Sequence, residues 1–121
     1  MIDVSPHDRH GVTVVRVSGD IDLATAPRLR AALLDTDRQG RHRLQVDLRS
    51  VDFVDSTAIG VLIGALRRAR MAGGDLVVSG LGPRPAQLFG LLGLDAVFQT
   101  GNDGFGVGDG PGTKSRAGKR P

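Results

Sequence analysis

The sequence contains no cysteine, tryptophan, tyrosine or glutamate, and only four phenylalanines. Without cysteine there are no disulfides and no thiol chemistry, which fits a cytosolic protein. A net charge of +3 and a pI near 10.5 resemble a nucleic-acid signal. Much of the excess, however, lies at the end: Lys114, Arg116, Lys119 and Arg120 stand there against Asp103 and Asp109. The rest is nearly neutral, and nucleic-acid recognition wants a basic patch, often with stacking aromatics; no direct nucleic-acid partner is expected. Arginine far outnumbers lysine and every acid is aspartate, which reads as codon bias. No run of about 18 apolar residues exists, so no membrane span is expected. Met1–His10 has neither a basic start nor an apolar stretch, so it does not read as a secretion signal.

Reactive constellations are missing too. His7, His10 and His42 are scattered and match no metal-ligand spacing. Gly80 and Gly82 do not complete a dinucleotide fingerprint, and there is no P-loop. A receiver-like Mg²⁺ site built from Asp20, Asp22, Asp47, Asp52 and Asp55 would need a lysine late in the sheet, but Lys114 and Lys119 both lie in the tail. Hydrolysis by Ser56 would need a GxSxG elbow and a placed base. The chain is therefore expected to be no enzyme and to need no cofactor.

What is present is 121 residues, 40% of them hydrophobic, enough for one compact domain. Residues 2–4 read as an edge strand, and Val12–Val17 as a β-branched strand broken at Gly19–Asp22. Thr25 then caps a helix that tolerates Pro27, with Leu29, Ala32, Leu33 and Thr36 inward. After a polar turn at Arg38–Arg43, Leu44, Val46 and Leu48 alternate with Gln45 and Asp47, and Arg49–Asp52 connects onward. Leu76–Val78 is a short strand. Pro85–Leu92 is a helix with Leu88, Leu91 and Leu92 inward, stopped by Gly93, and Ala96–Gln99 is a last strand. From Gly101 on, glycine and proline dominate, so residues 101–121 are expected to be a disordered basic tail behind a domain spanning 1–100. Strands separated by single helices give an α/β domain with parallel pairing.

The central feature is Val51–Arg70. Ile59, Leu62, Ile63 and Leu66 share one helical face, Gly73-Gly74 ends the helix, and Arg67, Arg68 and Arg70 form a solvated, dipole-favoured last turn. Asp55 or Ser56 is the natural N-cap, which alone explains the Asp55-Ser56-Thr57 cluster.

Two stretches add more. GDIDLATAPRL (Gly19–Leu29) and VDFVDSTAIGVLIG (Val51–Gly64) resemble the anti-sigma factor antagonists, which are built on the STAS domain. The resemblance implies a small mixed sheet of four to five strands flanked by helices. It implies that Ser56 is a phosphoacceptor for a serine kinase that is itself the anti-sigma factor and brings ATP and Mg²⁺. A PP2C-type phosphatase would reverse the modification, in a bacterial cytoplasm. Asp20, Asp22, Leu23 and Thr25 of the first motif, with Asp55, Thr57, Ala58 and Gly60 of the second, are then the candidate partner contacts, Asp22 facing a basic residue of the kinase. Leu81 is a further candidate from a later loop. Ala58 stands where the family usually has glycine, which keeps the helix but alters how closely a partner backbone can approach. Thr57 is a rival acceptor, expected to bond back into the turn. A different reading of the same fold is a sensor or scaffold STAS domain binding a nucleotide, lipid or other small ligand; the sequence offers it no phosphate-binding motif.

Overall fold

The computed structural model describes residues 2–101. The first strand is longer than expected: β1 (Asp3–Arg9) forms a hairpin with β2 (Val12–Ser18), in register from Asp3–Ser18 to Arg9–Val12. The sequence hid this because Pro6 interrupts the pattern, yet an edge strand accommodates a proline on its unpaired side. The turn is His10-Gly11, both with positive φ (54° and 82°), the two-residue form whose twist matches the strands.

From β2 the chain repeats one move. α1 (Ala26–Arg38) leads to β3 (Arg43–Ser50), α2 (Ser56–Met71) to β4 (Asp75–Ser79), and α3 (Pro83–Leu91) with a 3-10 turn (Leu94–Ala96) to β5 (Gln99–Gly101). The sheet order is β1-β2-β3-β4-β5, antiparallel at the first pair and parallel thereafter. This is the expected mixed sheet with its helices. One face carries the core: Val15, Val17, Leu44, Val46, Leu48, Leu76 and Val78 pack under Leu29 and Leu33 of α1 and Leu62 and Leu66 of α2. Each such leucine is worth about 2–5 kcal/mol against truncation to alanine. Gln45 and Asp47 sit on the opposite face, as their alternation requires, but they are buried there. Gln45 Nε2 donates to Ser79 Oγ at 3.1 Å, and Asp47 lies between Arg16 and Arg49.

Three expectations are corrected. Leu91 and Leu92 are exposed, and Pro85 and Phe89 are the buried residues of α3. The helix starts two residues earlier, so its inward stripe runs through Pro85 and Phe89, and Gly93, left-handed at φ 68°, ends the element before Leu92 can turn in. Phe89 meets Phe98 with ring centroids 5.8 Å apart. The last strand is displaced from Ala96–Gln99 to Gln99–Gly101 because Leu94–Ala96 winds a 3-10 turn that seats Leu94 and Phe98 in the core. Arg70 is not simply solvated: its Nε donates to Asp75 Oδ1 at 3.0 Å and its Nη2 to the Val97 carbonyl at 3.1 Å. Of the tail expected at 101–121, residues 102–121 lie outside the described residues.

Candidate functional site

The parallel strands all point toward one end of the sheet, and the loops leaving them gather there. The loop after β2 is fastened to the segment before α2 by an isolated parallel bridge, Ile21–Val54. Ile21 N–H donates to the Phe53 carbonyl at 2.9 Å and Asp55 N–H to the Ile21 carbonyl at 3.1 Å. The two motifs, about thirty residues apart in sequence, thus become one surface. The β4–α3 loop closes beside them: a side chain at Gly80 would crowd Asp47 and Arg49, so this loop lies directly on the end of β3.

Asp55 is the N-cap of α2. Its backbone is extended and its Oδ1 accepts from Ala58 N–H at 3.1 Å, while its carbonyl accepts from Ile59 N–H. With Asp55 taking that role, Ser56 becomes the first helical residue. It is exposed, and its hydroxyl makes no hydrogen bond among the described residues. Thr57 is half-buried and, contrary to expectation, shows no hydrogen bond back into the turn. The expected contact at Ala58 is corrected: Ala58 is fully buried against the core, so it presents no surface. Gly60, one turn on from Ser56, is exposed with open space where a side chain would stand. Leu81 is half-buried and packs against the core.

The acidic loop is internally braced. Asp22 Oδ1 accepts from Ala24 N–H (3.0 Å) and Thr25 N–H (3.1 Å), and the Asp22 carbonyl accepts from Ala26 N–H at 2.7 Å. In return Asp22 N–H donates to Thr25 Oγ1 at 3.0 Å, and that hydroxyl lies within donating reach of both the Asp20 carbonyl (2.8 Å) and Asp22 Oδ1 (3.2 Å). Thr25 is the N-cap of α1 by position, but no side chain caps the helix; the Asp22 backbone carbonyl takes the N–H of its first residue, Ala26, a change from the expected arrangement. The Thr25 backbone N–H, joined by its hydroxyl and by Ala24 N–H, holds the Asp22 carboxyl below its ordinary value. Asp20 and Leu23 are exposed.

Phe53 was not foreseen. It is 42% exposed beside Ser56, whereas its neighbour Val54 is buried. The segment makes one bridge rather than a strand, so no alternation in the sequence told which of its apolar residues faced out. Among the described residues no three His, Cys, Asp or Glu side chains gather as a metal site, and no helix is long and apolar enough to cross a membrane.

The family described as Mlab, STAS domain matches residues 6–100. The anti-sigma-B factor antagonist of Listeria monocytogenes is 33% identical over 101 residues, spanning 84% of this chain and 88% of its own. That of Bacillus subtilis is 36% identical over 84 residues, 69% of this chain and 76% of its own. The crystal structure of an anti-sigma factor antagonist from Mycobacterium paratuberculosis superposes with a TM-score of 0.76 at 32% identity, covering 83% of this chain and 85% of that one. The chain is a STAS domain of the anti-sigma factor antagonist family. As such it is a regulatory binding protein, and in this antagonist the loops at the Ser56 end carry both family motifs.

Proposed function

We propose that this antagonist is a phosphorylation-controlled partner switch acting in a bacterial cytoplasm. Unmodified, it binds an anti-sigma factor, so that the sigma factor is released and transcription changes. The anti-sigma factor is also a serine kinase, bringing ATP and Mg²⁺. The γ-phosphoryl group of ATP passes to Ser56 Oγ, the hydroxyl proton leaves and ADP departs. A PP2C-type phosphatase hydrolyses the ester and restores binding. The domain, which runs through Gly101 of β5, carries the switch.

One observation carries this reading: an exposed, unbonded hydroxyl stands at the first residue of a 16-residue helix whose cap is supplied by its neighbour Asp55. Modifying Ser56 removes no hydrogen bond from the fold. The added charge, about −1.5 to −2, faces the free N–H groups and positive dipole end of α2, so the domain tolerates it. A partner packed over the same helix start would have to desolvate that charge. Each anti-sigma factor kinase of the source genome is incubated with the chain and ATP–Mg²⁺, and peptides are read by mass spectrometry. One phosphate on the peptide holding Ser56, absent in Ser56→Ala, is expected; phosphate on Thr57, or none with any kinase, overturns the assignment. Among the described residues no feature favours a nucleotide- or lipid-binding domain over this reading.

A further inference from the structure

Two large apolar side chains are left uncovered at the Ser56 end, and the core does not account for them. Leu23 is 74% exposed and Phe53 42%. Both sit in the segments joined by the Ile21–Val54 bridge, whose own side chains are buried: Phe53 adjoins Val54 and is turned outward, and Leu23 lies in the turn just beyond Ile21. The Leu23 loop is held by the reciprocal bonds of Asp22 and Thr25, so little ordering is left to do on docking. Within the two segments, 19–25 and 51–56, the titratable side chains are Asp20, Asp22, Asp52 and Asp55, with Arg49 at the end of β3 just outside them.

We propose that Phe53 and Leu23 are the apolar anchors of the anti-sigma factor contact, and that the matching surface on that partner is an apolar cleft rimmed by basic side chains. This rests on the switch reading and names the side chains whose seating the phosphate would prevent. Anchor contacts must be dry to bind. A phosphate on Ser56 brings a dianion to the edge of that dry contact, beside Asp52 and Asp55 of its own segment, so water cannot leave and the anchors cannot seat. The acids set encounter rate and partner choice, whereas the two apolar residues set how long the complex lasts.

The test measures, by titration calorimetry without ATP, binding of full-length Phe53→Ala, Leu23→Ala, Phe53→Leu and Ser56→Asp to the anti-sigma factor that captures the unmodified chain. Binding weakened roughly tenfold or more is expected for Phe53→Ala, less for Leu23→Ala, with Phe53→Leu recovering most of the loss. Melting curves of Phe53→Leu and Leu23→Ala show whether the fold is kept, should Phe53→Ala be unstable. Wild-type affinity in both alanine variants, with Ser56→Asp unable to bind, removes the anchors and leaves the switch. Loss in the alanine variants with full binding by Ser56→Asp keeps the anchors and removes the switch. If sedimentation shows instead that Phe53→Ala dissolves a homodimer, the occupant is a second copy and the proposal falls.

Discussion

The two ends of α2 are closed by different means. At its start a side chain does the work: Asp55 Oδ1 takes Ala58 N–H, and Ser56 is left outside with an idle hydroxyl. At its finish the backbone does it. Gly73, at φ 88°, lets its own N–H reach the Arg70 carbonyl and Gly74 N–H reach the Ala69 carbonyl at 2.8 Å, a Schellman closure. The finish is then pressed against the connection that leads from α1 into β3, where Asp75 N–H meets the His42 carbonyl at 2.9 Å. A side-chain cap can be exchanged or modified nearby at modest cost. A backbone closure wedged between elements cannot. On the proposed switch, regulation would sit where the helix is held loosely enough to change its chemistry without changing its fold.

The sharpest way to break that contrast is at the closed end. A side chain on Gly74 would collide with the His42 carbonyl and its neighbouring atoms. Gly74→Ala should therefore destabilise the domain by about 2 kcal/mol or more, seen as a lowered urea midpoint at unchanged slope. At the open end, Asp55→Ala removes one cap bond and should cost about 1 kcal/mol, with Asp55→Asn nearly neutral because its amide oxygen can take the same N–H. If the two ends respond equally, the distinction between them fails.

The legible part of the fold follows the same division. Period and punctuation marked β2, α1, β3 and α2, because Val12–Val17, Leu44–Leu48 and Ile59–Leu66 carry clear alternation or helical spacing and Gly73-Gly74 is an unmistakable stop. Elements whose extent or phase depends on tertiary contact were read only in part. β1 needed its hairpin partner, α3 its phase against Phe98, and β5 the turn that precedes it. At the site, the cap at Asp55–Ser56 was readable from helix-start chemistry, whereas the role of Ser56 was suggested by the family resemblance alone. The joining of the two motifs was not, since a single bridge between Ile21 and Val54 leaves no period, and neither were the burial of Ala58 and the exposure of Phe53.

A subtler effect is expected at Ser56 itself. Ser56→Asp places a carboxylate at the positive end of α2, so the melting temperature should stay within a degree or two of wild type or rise slightly. Anti-sigma factor binding should nevertheless fall below detection in the same preparation. Loss of stability parallel to loss of binding would mean that charge at this position acts by loosening the helix rather than by blocking the contact.

The smallest expected effect is the pH response of the loop facing Ser56. The folded-state pKa of Asp22 lies below that of the unfolded chain because Thr25 N–H, with help from its hydroxyl and Ala24 N–H, favours the carboxylate. A group depressed in this way adds stability that is present above its unfolded pKa and is lost as pH falls through its folded one. Wild type and Asp22→Asn should therefore differ slightly in melting temperature at pH 7 and converge under acid, below the ordinary carboxylate range. Asparagine keeps the oxygen that accepts Thr25 N–H and removes only the charge, so the gap at neutral pH isolates the charge. A gap that persists unchanged in acid would show that shape alone braces the loop, and that the carboxylate of Asp22 is free to serve the partner rather than the fold.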